Sequence, residues 1–135
     1  MAFVHASCVR FEEKGILILG PSGSGKSDLA LRLIDAGAIL ISDDYVDLKW
    51  DGKILFGFAA PNIEGLIEIR GIGPVKTNYQ NSSPIDLVLE LTPRERIERL
   101  PEEEFFNYED GRVPLYKFDC FSVSAIAKIK ILLNR

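Results

Sequence analysis

The chain has 135 residues, of which 47% are apolar and 27% charged, with a net charge of −4. That length suits a single domain, taken here as residues 1–135, and the mix excludes disorder along the whole chain. A net negative surface disfavours nucleic-acid backbones, which are bound through Lys and Arg, and no apolar run approaches the roughly 20 residues of a membrane span.

Residues 2–11 alternate weakly and are rich in β-formers, which predicts a strand, and Glu12-Glu13-Lys14-Gly15 reads as a polar turn. Residues 15–19, Gly-Ile-Leu-Ile-Leu, form a short apolar run of the kind buried on both sheet faces. A glycine-rich loop follows at once, and then apolar residues at helical spacing (Leu29, Leu31, Leu33, Ile34) predict a helix over 26–36 with Gly37 past its end. Ala38-Ile-Leu-Ile41 predicts a second buried strand ending at Ser42-Asp43-Asp44, which makes the opening a βαβ unit or close to it. Asp51-Gly52 between Val46–Trp50 and Ile54–Phe58 predicts a hairpin. Residues 66–70 read as a short strand, 76–84 as an exposed loop, 85–91 as a strand, 94–104 as a charged and partly helical stretch, and 115–118 as a last short strand. Residues 122–133 have a helical apolar pattern with Lys128, Lys130 and Arg135 near the end, which suits the helix dipole. Cys8 and Cys120 lie in apolar surroundings, with no CxxC pair and one histidine in the chain. Buried thiols in a reducing compartment are therefore expected rather than a zinc site. The N-terminal residues have neither the basic region nor the apolar run of a signal peptide, so the expected location is cytoplasmic.

Gly20-Pro21-Ser22-Gly23-Ser24-Gly25-Lys26-Ser27 matches G-x-x-x-x-G-K-[ST] in full. Glycines let the backbone take positive φ and approach phosphates closely. Successive N–H groups then face an anion, and the helix start adds its positive end. Lys26 is placed to reach β- and γ-phosphates and the Ser27 hydroxyl to ligate Mg²⁺. The motif follows a buried strand and precedes a helix, as that role requires, so a nucleoside triphosphate with Mg²⁺ is the expected ligand.

Asp43 and Asp44 close the next strand, which in an α/β sheet puts them at the carboxyl edge beside the phosphate loop. One carboxylate can bind Mg²⁺ and the other can take a proton from an attacking hydroxyl. Glu68 and Arg70 stand two apart on one predicted strand and so share a face. His5 is the single histidine. Arg94, Arg96 and Arg99 are candidates for a cation that stabilises transferring phosphate, and spacing does not choose among them.

The order His5-Ala6, the phosphate loop, Ser42-Asp43-Asp44-x-Val46, Leu66-Ile-Glu-Ile-Arg-Gly-Ile-Gly73 and Glu98-Arg99-Leu100 resembles the catalytic domain of HPr kinase/phosphorylase, in a short form without the N-terminal domain. The resemblance implies an α/β, P-loop NTPase-like sheet of the HPr kinase / phosphoenolpyruvate carboxykinase type. It also implies ATP- and Mg²⁺-dependent phosphorylation of a serine of HPr, the phosphocarrier of the sugar phosphotransferase system, and a hexameric assembly. Carried over residue by residue, it implies that the phosphate loop and Lys26 hold the nucleotide and that Ser27 and Glu68 ligate Mg²⁺. One of Asp43 and Asp44 serves as base, with His5 and Arg99 in the active site. The family also runs phosphorolysis of phosphoserine, tied to a Pro-x-x-Pro-Gly-Arg-Asn type segment. Here the corresponding residues are Phe118-Asp-Cys-Phe-Ser-Val-Ser124, and the loop after Gly73 lacks a Gly-Ala-Gly type run, which points to the forward reaction. Two alternatives remain: a P-loop small-molecule kinase with its arginines in a lid, and a nucleotide sensor without catalysis. A GTPase is disfavoured because no Asn-Lys-x-Asp motif occurs.

Overall fold

The computed structural model describes residues 2–135. The chain runs β1 (Ala2–Phe11), β2 (Lys14–Leu19), α1 (Lys26–Asp35), β3 (Ile39–Ser42), β4 (Tyr45–Trp50), β5 (Leu55–Ala59), β6 (Leu66–Ile69), β7 (Gly73–Lys76), β8 (Ser82–Pro84), β9 (Leu87–Leu91), a 3-10 turn (Arg94–Arg96), β10 (Glu104–Tyr108), β11 (Gly111–Phe118) and α2 (Ala125–Leu133). Nine strands form one sheet in the order β10-β11-β9-β2-β1-β4-β5-β8, with β3 also paired to β1; β6 and β7 form a separate hairpin.

Alternation along the central strands divides the core into two layers. Ile16 and Ile18 of β2 and Leu87, Leu89 and Leu91 of β9 face one side, where they pack with Leu29 and Leu33 of α1 and Ala125, Ile129 and Leu133 of α2. Leu17 and Val88 face the other side and pack with Cys8, Ile41, Val46, Leu48 and Leu55. Burial on both faces explains the unbroken apolar runs in β2 and β9. The β1–β2 connection is a two-residue turn in which Glu12 (φ 50°) and Glu13 (φ 67°) are both left-handed. Positive φ at both central positions is the turn geometry that follows strand twist.

The βαβ expectation is met with one strand inserted. β2 and β3 both run antiparallel to β1, so they are parallel to each other, but β1 lies between them. The sheet is accordingly mixed: β2, β9 and β11 are mutually parallel neighbours, whereas β1, β4, β5 and β8 pair antiparallel. Three expectations need correction. The loop expected over 76–84 contains the end of β7 and all of β8, because the short polar strand Ser82–Pro84 is held by pairing to β5 rather than by its own pattern. The partly helical stretch expected over 94–104 keeps only one 3-10 turn and then extends into β10, whose Phe105 and Phe106 pair with β11. β6 ends at Ile69, so Arg70 falls in the following turn and does not share a strand face with Glu68.

Candidate active site

The phosphate loop leaves the carboxyl end of β2 and turns into α1, whose N-cap is Gly25 at φ 104°. A side chain at Gly25 is excluded twice over: L-residues avoid that φ, and a Cβ there would meet Cys120 Sγ at 2.9 Å. Lys26 is 7% exposed, and its Nζ donates to the loop's own carbonyls, Gly20 O at 2.7 Å and Pro21 O at 3.0 Å. Burial pushes the Lys26 ammonium below its ordinary pKa, opposed by the Asp44 and Asp43 carboxylates. Ser24 Oγ is buried with no hydrogen-bond partner among the described residues. The loop thus carries a buried cation, an orphaned hydroxyl and the start of a helix at one point, a fit for an anionic group.

Asp43 and Asp44 arise from a break in what would otherwise be one long strand. β1 pairs with β3 through Cys8↔Ser42 and with β4 through His5↔Tyr45, so Ser7 and Ala6 stand opposite Asp43 and Asp44 in the same register. Asp44 breaks the ladder with φ 73°, and its backbone carbonyl accepts from Ala6 N at 3.1 Å. A non-glycine residue in this conformation costs of order 1 kcal/mol or more and clusters at functional sites. The two carboxylates consequently point into different environments. Asp43 is buried and accepts from Ser7 Oγ at 2.6 Å, from Ser27 Oγ at 2.9 Å to each carboxylate oxygen, and from the Glu68 backbone N–H at 3.3 Å. The Asp44 side chain is 64% exposed, with Oδ1 at 3.1 Å from His5 Nε2. The His5 ring lies 5.4 Å from that of Tyr45.

Lys26, Ser27, Asp43, Asp44 and His5 are therefore brought together, and the Glu68 backbone joins them. The Glu68 side chain is exposed at the edge of the β6–β7 hairpin. Arg99 lies in an exposed bend and makes no hydrogen bond or ion pair among the described residues. Arg94, at the end of β9's following loop, lines a cavity with Pro21 and Ser24 of the phosphate loop. Sequence reasoning missed Ser7, which is fully buried beside Asp43; its signal is a lone hydroxyl within an apolar strand. Among the described residues no three His, Cys, Asp or Glu side chains form a ready-made metal cage. The Ser27 hydroxyl against the Asp43 carboxylate is instead the sparse oxygen set that suits Mg²⁺, which keeps waters and takes substrate phosphates as its remaining ligands.

The sequence pattern of the family described as HPr Serine kinase C-terminal domain matches residues 1–129. The chain belongs to this family. An HPr kinase/phosphorylase from Caldanaerobacter subterraneus is 39% identical over 123 residues, which cover 82% of this chain and 40% of that protein. One from Mycoplasma mycoides is 44% identical over 94 residues, covering 64% of this chain and 30% of that protein. The chain thus spans about 40% of the length of the curated relatives it matches most extensively. Among solved structures, the Hpr(Ser) kinase/phosphatase from Coxiella burnetii superposes with a TM-score of 0.86 at 26% identity, covering 99% of this chain and 90% of that one. The mixed sheet with its phosphate loop is the fold of this family.

Proposed function

We propose that the chain carries out phosphoryl transfer from Mg²⁺-bound ATP to a serine of HPr. Carrying this reading is the division between the two neighbouring carboxylates, with Asp43 buried on Ser27 and Asp44 exposed against His5. A buried carboxylate with several hydrogen-bond donors is held in place, which suits a group that fixes the phosphate-loop serine and helps hold Mg²⁺. An exposed carboxylate beside the same loop suits a base that must meet an incoming hydroxyl. Asp44 accepts the serine proton as the serine oxygen attacks the γ-phosphorus; the bond from that phosphorus to the β-phosphate bridging oxygen breaks, and ADP leaves. His5 fixes the Asp44 side chain through Nε2. Lys26 neutralises the phosphates from the loop side, and bound Mg²⁺ would add charge stabilisation at the β- and γ-oxygens. Glu68 as a second Mg²⁺ ligand, Arg99 as a transition-state cation, a hexameric assembly and a cytoplasmic setting belong to the same proposal. The kinase direction is favoured over phosphorolysis because residues 118–124 contain no proline or arginine.

Incubation with labelled ATP, Mg²⁺ and HPr, in parallel with HPr whose target serine is alanine, tests the reading. Label on the first protein alone is expected. Asp44→Asn should lower transfer by about 100-fold or more while ATP affinity stays within a few-fold, since a positioned base contributes roughly 10²–10⁴ in rate. Label on neither protein with ATP still bound, or full transfer by Asp44→Asn, refutes the proposal.

A further inference from the structure

The carboxylates occupy one flank of the phosphate loop, where β3 ends against the middle of β1. On the other flank lie the two strands that run parallel to β2. Their carboxyl ends feed the loops beginning at Thr92 and Asp119, and these loops meet the phosphate loop around a cavity of about 400 Å³. That volume falls within the range of about 300–1,000 Å³ typical of small-molecule sites, and the carboxyl edge of parallel strands is where an open α/β sheet binds ligands. The lining is largely apolar, from Pro21, Leu91, Pro93 and the buried Phe118, with Glu95 also on it and Arg94 and Phe121 as its planar groups besides Phe118. Phe121 is 74% exposed, and it lies close enough to the loop that a Cβ on Gly25 would reach its Cζ at 3.3 Å. The Arg94 guanidinium makes no hydrogen bond or ion pair among the described residues, its backbone carbonyl alone accepting from Ile97 N–H. An exposed aromatic ring and an unpaired guanidinium lining one apolar cavity offer stacking surfaces to a flat heterocycle.

We infer that this cavity seats the nucleoside of the triphosphate held by the phosphate loop, with the base stacked against Phe121 and Arg94. The inference rests on the reading of residues 20–27 as a phosphate site. It gives the segment after Phe118 a role: Cys120 closes against Gly25 while Phe121 offers a ring to the base. Sparse polar lining means that the base is held by area rather than by hydrogen bonds to its edge. A nucleotide would then lie across the sheet edge, phosphates towards Asp43 and base towards Phe121.

Calorimetric titration of the full chain with Mg²⁺-ATP and with Mg²⁺-tripolyphosphate separates the two halves of such a ligand. Base–aromatic stacking supports an expected preference for ATP of about tenfold. Phe121→Ala should abolish most of that preference with tripolyphosphate affinity unchanged, and Phe121→Trp should restore it; Phe121 is exposed, so neither change removes core. Equal affinity of the parent chain for ATP and tripolyphosphate, or unchanged ATP affinity in Phe121→Ala, overturns the inference and leaves the phosphate site standing. So does equal weakening of both ligands in that variant. Binding of neither ligand by the parent chain overturns both.

Discussion

Ser7→Ala isolates the contact that no motif announces. Ser7 is fully buried and its hydroxyl donates to Asp43 Oδ1 at 2.6 Å. A buried hydrogen bond to a charged group contributes about 1.5–3 kcal/mol, and its loss leaves part of a carboxylate unsolvated. Asp43 keeps the Ser27 hydroxyl and the Glu68 N–H, so the cost should sit towards the lower end, about 2 kcal/mol. For a chain of this size each kcal/mol moves the melting midpoint by roughly 4 °C, which predicts a drop of about 8 °C. Freed on one side, the carboxylate also holds Ser27 and Mg²⁺ less well, and loss of such an outer partner typically costs about 10–100-fold in metal affinity. Thermal unfolding without ligand and calorimetry with Mg²⁺-ATP measure the two effects separately. A variant that melts within about 2 °C of the parent, the range of an ordinary surface change, with unaltered Mg²⁺-ATP affinity refutes the assignment of Ser7 as the residue that positions Asp43.

Two further outcomes follow from the burial of charge and thiol. Lys26→Met should abolish triphosphate binding yet raise the stability of the ligand-free chain, because burial lowers the Lys26 pKa and the folded state therefore disfavours its charge. The unfolded chain binds more protons between the lowered pKa and the ordinary value near 10.5, so parent stability rises with pH across that window and the advantage of the variant shrinks there; an advantage independent of pH would refute the cause. Burial pushes both the Cys8 and Cys120 thiols above their ordinary range, so neither should react with a thiol reagent at pH 8 in the native chain and both should react in denaturant. Rapid native labelling of Cys120 would show that the contact between residue 120 and the phosphate loop opens freely.

The sequence pattern was most informative where local chemistry and tertiary structure agree. The apolar run of β2, the glycine spacing of the loop and the period of α1 each specify their own conformation, and β2, α1 and the Asp51-Gly52 hairpin fall where those signals put them. It was least informative where pairing alone makes the structure. Ser82–Pro84 has a proline and two serines and becomes a strand only because β5 offers a free edge. The charges over residues 94–104 suggested a partly helical stretch, but Pro93 precedes it, Pro101 interrupts it, and its end at Glu104 pairs into β10 against β11. Glu68 and Asp43 are 25 residues apart and meet through a backbone N–H, a contact that side-chain types cannot encode.

The most consequential feature is the strand between β2 and β3. A βαβ unit with adjacent strands would set Asp43 directly beside the phosphate loop but leave the first residues of the chain elsewhere. Inserting β1 antiparallel brings its amino-terminal half to the carboxyl end of β2, as the pairing Ala6↔Leu19 requires. His5 then lies one residue beyond that pair, level with the start of the phosphate loop, and Ser7 lies one residue inside it. Side chains two apart on a strand share a face, so both stand on one side of β1, near the break between β3 and β4 where Asp43 and Asp44 lie. His5 reaches the exposed carboxylate and Ser7 the buried one. A single strand thereby supplies both partners that distinguish Asp44 from Asp43, and the different roles proposed for two adjacent, chemically identical residues follow from where β1 is placed.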